Sequence, residues 1–250
     1  YEDFYYLSVV MEPADTDHFE LIVNSPLGYI PEEIAIDFLI QIFEVIDYLH
    51  SNVNIVHCDI KPENFVVIFN KDNKPELKLI DFGNARRKPK NKERLFNFVG
   101  TKEYTAPEAL ENTGFNEKVD EWAAGIIMFN ILTGADPFID ANDGESDYID
   151  NIKFKEIKFE YIKNERLREL NKKLLNRYMV KRITAKEALQ ELEGYPINMD
   201  NLADYLASSK KGKPINLNSE KQDINDINKQ NQSPDNEIKS QNEKLPTLIN

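Results

Sequence analysis

The sequence predicts an α+β domain that is mainly α-helical, and three patterns predict it. Between Pro31 and His50, apolar residues recur at helical spacing, which indicates a strong helix. The segment Val119–Thr133 is apolar nearly all round, as is typical of a helix buried in the centre of a domain. Two β-prone runs, Phe65–Phe69 and Leu77–Ile80, are joined by a short polar segment, which predicts a β-hairpin.

The other predicted elements are shorter. Leu7–Met11 is a candidate strand, and His18–Asn24 is a candidate short helix. Residues 84–100 predict a long basic loop. Two amphipathic helices are predicted near the end of the globular part, at Asn164–Asn176 and Ala185–Glu193.

Composition limits the classes of partner. The chain has 250 residues, of which 31 are Lys or Arg and 44 are Asp or Glu, giving a formal net charge of −13. Because nucleic-acid binding rests on a basic surface, this balance predicts no nucleic-acid partner. It also disfavours docking on anionic lipid, and no 18-residue apolar run predicts a membrane helix.

The single cysteine, Cys58, cannot form an internal disulfide and excludes a cysteine-based zinc site. We therefore expect a reducing compartment, cytoplasmic with the nucleus as an alternative. A small buried thiol is the favoured role for Cys58, and a redox sensor is the alternative.

The last forty residues, 211–250, differ from the rest of the chain. They contain no aromatic residue, six lysines balanced by six acids, and twelve Asn or Gln. Such a segment cannot bury enough apolar surface to offset chain entropy, so we expect a disordered polar tail. Because the chain starts with Tyr1 inside an apolar-aromatic run, we expect it to be a piece of a longer polypeptide.

The segment His57-Cys-Asp-Ile-Lys-Pro-Glu-Asn64 carries the strongest chemical signal. A carboxylate such as Asp59 can accept a hydroxyl proton, and the ammonium of Lys61 can neutralise a phosphate oxygen. The amide oxygen of Asn64 can ligate a hard cation. After the predicted hairpin comes Asp81-Phe82-Gly83, whose carboxylate would add the charge that a Mg²⁺ site needs.

Further motifs follow in a fixed order: Gly100-Thr-Lys-Glu-Tyr-Thr-Ala-Pro-Glu108, then Asp120-x-Trp122-x-x-Gly125, then Arg182. With these motifs, residues 1–195 resemble the eukaryotic protein kinases. The resemblance implies that residues 1–16 are the end of the upper lobe and the hinge. It implies that residues 17–210 are a kinase C-terminal lobe with short β-hairpins.

The resemblance also implies ATP and Mg²⁺ as cofactors and assigns roles to the loop residues. Asp59 resembles the catalytic base, and Lys61 the residue that holds the γ-phosphate. Asn64 and Asp81 resemble the two Mg²⁺ ligands. Thr101 resembles the hydroxyl that ties the activation segment to the base and to the lysine.

Other positions are implied to bind adenine. The backbone groups of Glu12 and Ala14 would face the adenine edge, and Val66 would lie beneath the ring. The alternative for these three is an ordinary strand end and ordinary core packing.

A last set of positions is implied to be structural. Glu108 and Arg182 resemble a buried ion pair, and Asp120 resembles the anchor of the catalytic loop on the central helix. His57 and Phe82 resemble packing residues of the internal spine.

Two of the departures of this sequence from the family bear on its activity. No Gly-rich phosphate-covering loop and no strand lysine of the upper lobe are found, so we expect the 250 residues alone to be inactive. Cys58 stands where the family usually has Arg, and no Ser, Thr or Tyr lies between Asn84 and Gly100. We therefore expect activity that does not need phosphorylation of that stretch.

The predicted function is that of a protein Ser/Thr kinase whose substrate is a protein with a Ser or Thr acceptor. The alternatives are a pseudokinase-like binding or scaffold module and a small-molecule kinase. Subfamily features, such as Tyr48-Leu-His50-Ser51, resemble the calcium/calmodulin-dependent group. The sequence does not identify the regulatory partner.

Overall fold

The computed structural model describes residues 29–71, 74–91, 93–139 and 148–195, together with Pro13 and the backbone of three two-residue strands before residue 18. Its helices are α1 (Glu32–Tyr48), α2 (Pro107–Leu110), α3 (Lys118–Thr133), α4 (Tyr148–Phe154), α5 (Glu165–Leu174) and α6 (Ala185–Leu192). Its strands are β1 (Glu2–Asp3), β2 (Tyr6–Leu7), β3 (Thr16–Asp17), β4 (Ile55–Val56), β5 (Phe65–Phe69), β6 (Pro75–Leu79) and β7 (Arg86–Arg87).

The first helix, α1, forms where the apolar spacing predicts it. Pro31 precedes it with a fixed backbone angle, and two glutamates in its first turn suit the positive end of the helix dipole. One face is buried against α3 and α6. The helix continues into a wider turn, Leu49–Val53, which ends at Asn54 in the left-handed region at φ 59°.

The central helix, α3, is buried on nearly every side, as predicted from its apolar composition. It lies between α1 and α5. At Gly125, an added Cβ would lie 2.9 Å from the Cβ of Leu174 on α5, so the helices meet where α3 has no side chain. The side chain of Asn171 donates to the carbonyl of Gly125 across the same contact, at 2.8 Å.

The predicted hairpin is confirmed, although β6 begins at Pro75 and not at Leu77. β5 lies between β3 and β6 in an antiparallel sheet. The predicted long loop at residues 84–100 is corrected, because β7 within it pairs with β4. The pairing places this basic segment beside the chain that leads into residues 57–64.

Helices α5 and α6 begin at side-chain caps. Asn164 accepts the N–H groups of Arg166 and Leu167, and Thr184 forms a reciprocal capping box with Glu187. Both helices end slightly earlier than predicted. Helix α4 is not predicted by the sequence patterns.

Some predictions fall outside the described residues. These are most of the Leu7–Met11 strand, the His18–Asn24 helix and the tail at 211–250. Within the part of the chain that the structure describes, no helix combines the length and apolar character needed to cross a bilayer.

Candidate active site

Residues 57–64 form a loop between β4 and β5. The central helix α3 holds this loop through hydrogen bonds. Asp120 of α3 accepts the backbone N–H of His57 at 2.8 Å and that of Cys58 at 2.9 Å, one on each carboxylate oxygen. Asp120 is 1% exposed, so water does not compete for these bonds. The position that the resemblance gave to Asp120 therefore agrees with the geometry.

Asp59, Lys61 and Thr101 form a closed set of polar contacts. The backbone N–H and the hydroxyl of Thr101 both donate to Oδ1 of Asp59, at 2.9 and 2.8 Å. Nζ of Lys61 donates to Oγ1 of Thr101 at 2.8 Å and lies 3.6 Å from Oδ2 of Asp59. The three side chains come together although Thr101 lies about forty residues further along the chain.

These contacts decide the charge of Asp59. Burial alone would raise the pKa of Asp59, but the two hydrogen bonds from Thr101 and the positive charge of Lys61 outweigh it. The pKa of Asp59 is therefore held below its ordinary value, and the carboxylate is ionised at neutral pH.

Asn64 ends the short 3₁₀ turn Pro62–Asn64 that leads into β5. Its side-chain N–H₂ donates to the carbonyl oxygen of Asp59 at 2.7 Å. This bond commits the nitrogen and leaves the amide oxygen as the group that can meet a cation. No described residue donates a hydrogen bond to that oxygen.

Asp81 lies two residues after the end of β6 and follows a residue that is hydrogen-bonded to Asn64. The N–H of Ile80, its neighbour, donates to the carbonyl of Asn64 at 2.8 Å. Asp81 lies in the left-handed region at φ 60°, and its Oδ1 accepts the N–H of Gly83 at 3.1 Å. Left-handed backbone is rare for a non-glycine residue and occurs often at functional sites.

The donors at Asn64 and Asp81 fit Mg²⁺. They are an amide oxygen and an exposed carboxylate, and both are hard oxygen ligands. Within the described residues no group of three His, Cys, Asp or Glu forms a complete metal cage. Mg²⁺ in nucleotide sites is held by one or two protein groups together with phosphates and water, so the sparse donor set suits that use.

The backbone around Cys58 also shapes the site. Cys58 lies at φ 65°, and a Cβ added at Gly100 would lie 2.4 Å from the Cys58 carbonyl oxygen. Glycine is therefore required for Thr101 to reach Asp59. Burial raises the pKa of the Cys58 thiol to about 12, which keeps it protonated and agrees with a packing role.

The implied ion pair between Glu108 and Arg182 is present. The two guanidinium nitrogens donate to the two carboxylate oxygens at 2.6 and 3.0 Å. Arg182 is 2% exposed and Glu108 is 7% exposed. The pair joins the start of α2 to the turn before α6.

The spine positions are only partly as expected. His57 is fully buried, and its ring meets Phe82 edge-on with ring centroids 4.9 Å apart. Phe82, however, is 47% exposed, so it packs through one face instead of lying inside the core.

Three positions are implied by the resemblance to bind adenine. Glu12 and Ala14 lie outside the described residues. Val66 is partly buried on β5, between Asp17 and Lys78 of the neighbouring strands.

Sequence reasoning missed three residues that support the site, namely His50, Glu121 and Arg86. His50 bridges Asp120 and its neighbour Glu121 in the core. Arg86 donates to the carbonyl groups of Phe96 and Asn97 and so ties β7 to the segment before Gly100. Two features of the sequence could have pointed to them. Glu121 is an acid in a mostly apolar helix, and Arg86 is a cation in a stretch without phosphorylatable residues.

Comparison with known proteins agrees with these observations. A profile of the protein kinase domain matches residues 1–192. The chain is 42% identical over 146 residues to human serine/threonine-protein kinase D2 and, over the same length, to serine/threonine-protein kinase dkf-2 of Caenorhabditis briggsae. It is 38% identical over 148 residues to serine/threonine-protein kinase dkf-1 of Caenorhabditis elegans.

Each alignment covers 58% of this chain but only 16%, 12% and 20% of those relatives, respectively. The similarity is consistent with a calcium/calmodulin-dependent-kinase-like group. The domain profile matches most of the chain. The chain therefore belongs to the protein kinase family.

Proposed function

We propose that this domain transfers the γ-phosphate of ATP to a serine or threonine hydroxyl of a protein substrate. The observation that carries the proposal is the contact set of Asp59, Lys61 and Thr101, beside the oxygen donors of Asn64 and Asp81. An ionised base, a cation and a hard-metal site at one loop suit phosphoryl transfer, which depends on positioning and electrostatics. The names of the relatives, serine/threonine-protein kinases, support the same activity.

In this mechanism Asp59 orients the substrate hydroxyl and accepts its proton as the hydroxyl oxygen bonds to the γ-phosphorus. The bond between the γ-phosphorus and the β–γ bridging oxygen breaks in the same step, and ADP leaves. The lowered pKa of Asp59 keeps it able to accept, and its bonds from Thr101 fix its orientation. Lys61 places a positive charge beside Asp59 and neutralises charge on the transferred group. Asn64 and Asp81 would hold Mg²⁺, which would neutralise charge on the phosphates when bound.

We infer that residues 17–210 form the lower lobe of the kinase and that residues 1–16 contain the hinge. The helical content and the short antiparallel strands of the described residues support this assignment. In the same proposal the backbone of Glu12 and Ala14 meets the adenine edge and Val66 lies beneath the ring.

The test is Asp59→Asn in the protein expressed from its complete gene. Transfer of labelled phosphate to a Ser/Thr peptide should fall by roughly 10²–10⁴-fold, as for loss of a general base. Nucleotide affinity should stay unchanged. Glu63→Gln is the matched control, because Glu63 is an exposed carboxylate in the same loop.

Equal loss of transfer in both variants would show that the base is assigned to the wrong carboxylate. Nucleotide binding by the wild-type protein without any transfer would instead support the alternative of a pseudokinase-like binding module.

A further inference from the structure

A buried group of three charged side chains lies next to the loop of residues 57–64. It consists of His50, in the wider turn that follows α1, and Asp120 and Glu121, in the first turn of α3. The three residues are 4%, 1% and 1% exposed. Asp120 anchors residues 57 and 58, but the proposed mechanism gives no role to His50 or Glu121.

The geometry fixes the protonation of His50. Its Nε2 lies 2.8 Å from Oδ2 of Asp120, and its Nδ1 lies 3.3 Å from Oε1 of Glu121. A neutral imidazole has one N–H and one acceptor nitrogen, and that acceptor would face a carboxylate oxygen. With Asp120 and Glu121 both ionised, only the imidazolium can donate to both carboxylates, and we therefore assign a hydrogen to each ring nitrogen.

Glu121 is an unusual residue for its surroundings. The residues that follow it in α3, from Trp122 to Phe129, are apolar or glycine and buried. Its Oε1 also accepts the N–H of Ala185 at 3.2 Å, whereas its Oε2 has no hydrogen-bond partner among the described residues. A buried carboxylate with an unpaired oxygen is costly, and the cation of His50 is the group beside it that offsets this cost.

Only a few contacts separate Glu121 from Asp59, the proposed base. His50 donates to Asp120, and the same Oδ2 atom of Asp120 accepts the N–H of His57. Oδ1 of Asp120 accepts the N–H of Cys58, the residue directly before Asp59. We propose that Glu121 is a positioning residue that keeps His50 doubly protonated, so that His50 and Asp120 together hold the backbone of the catalytic loop.

Other charged groups also act on the cluster. Nζ of Lys88, which follows β7, lies 3.3 Å from the carbonyl oxygen of His50. Lys118, one turn before Glu121, interacts electrostatically with it. Burial opposes the charge of His50, but Glu121 and then Asp120 outweigh it and raise the pKa of His50 to about 10. The cluster is therefore charged throughout the neutral range.

The test is nuclear magnetic resonance of the imidazole of His50 in the full chain, which needs no kinase activity. In the wild type both ring nitrogens should show protonated shifts from pH 6 to about pH 8.5, unlike an ordinary histidine with a pKa of about 6.5. A wild-type His50 that is neutral at pH 8 would overturn the proposal, whatever any variant does.

The variant is Glu121→Gln, which keeps the shape and removes the charge. The His50 titration midpoint should fall by about one unit or more, and the amide hydrogens of His57 and Cys58 should exchange roughly tenfold faster. Glu169→Gln is the control, because it removes the same charge from an exposed position on α5 and should change neither readout. Unchanged titration and exchange in Glu121→Gln would overturn the proposal.

Glu121→Leu provides a second route if Glu121→Gln does not fold, because a leucine suits the apolar surroundings. It should give the same shift at His50 and the same faster exchange, and absence of both would overturn the proposal. The consequence for catalysis rests on the proposed function: kcat should fall in Glu121→Gln while the KM for ATP stays the same. An inactive wild type would sink the proposed function and leave the resonance and exchange tests intact.

Discussion

The carboxylate of Glu108 and the guanidinium of Arg182 form a two-pronged ion pair, with N–O distances of 2.6 and 3.0 Å, between residues 74 positions apart. Nη1 of Arg182 also donates to the carbonyl of Lys118, at 2.7 Å. One guanidinium therefore joins the segment that follows the catalytic loop to the central helix. Both charges are buried, so each depends on the other for compensation.

The first prediction concerns this pair. Glu108→Gln should lower the free energy of unfolding by about 3–5 kcal/mol, because it leaves the Arg182 charge buried without a counter-ion. Urea denaturation measures the change. Glu191→Gln is the control, because it breaks a solvent-exposed ion pair with Lys173 and should cost less than about 1 kcal/mol. Equal losses in the two variants would contradict the argument from burial.

The second prediction concerns Thr101. Because the pKa of Asp59 is lowered in the folded chain, its carboxylate adds stability above the unfolded-state pKa of about 3.9. That contribution is lost as pH falls through the lower folded-state value. Thr101→Ala removes the hydroxyl donor, so its deficit in stability should be complete above about pH 5 and shrink below about pH 4.

Thermal unfolding across pH measures this deficit. Thr101→Ser keeps the hydroxyl and should retain most of the wild-type stability at neutral pH. A deficit in Thr101→Ala that is the same at pH 3 and pH 7 would show that Asp59 is not the group involved.

The third prediction concerns Arg86 and phosphorylation. Arg86 binds the carbonyl groups of Phe96 and Asn97, and its guanidinium also lies 5.8 Å from the ring centre of Phe115. Since no residue from 84 to 100 can be phosphorylated, these contacts order the segment without a phosphate. Arg86→Ala should speed proteolysis between residues 88 and 100. Arg87→Ala, at the exposed neighbour, should not.

The same reasoning predicts that phosphatase treatment leaves the activity of the wild-type protein unchanged. Loss of activity on treatment, with the phosphate mapped to Thr101, Tyr104 or Thr105, would count against phosphorylation-independent activity.

The fourth prediction concerns the metal. Asp81→Asn should weaken Mg²⁺-dependent nucleotide binding by more than about tenfold, because a hard cation binds a carboxylate far better than an amide. Calorimetric titration of nucleotide with and without Mg²⁺ measures this. Asp150→Asn, an exposed acid on α4, is the control. Binding that does not respond to Mg²⁺ in the wild type would remove Asp81 from the proposed metal site.

Much of the architecture follows from local patterns that act over a few residues. Local patterns predict α1 from its helical spacing, α3 from its apolar composition, and β5 and β6 from their two β-prone runs. The spacing of apolar residues predicts these elements because it decides whether a helix or a strand can bury them on one face. The resemblance to the protein kinases also implied the contacts among Asp59, Lys61 and Thr101, which the structure contains. Helix α4 carried no such pattern, and β7 is two residues long and depends on its partner β4.

The sequence by itself determined the family, the order of the elements and the residues able to carry the chemistry. Only the tertiary structure decided which charges face one another. Glu121 and His50 lie far apart in the chain, and no sequence pattern pairs them. Their contact arises where the turn after α1 meets the start of α3. Burial sets the strength of such pairs by excluding water, and burial is a property of the packed fold that no local stretch of sequence contains.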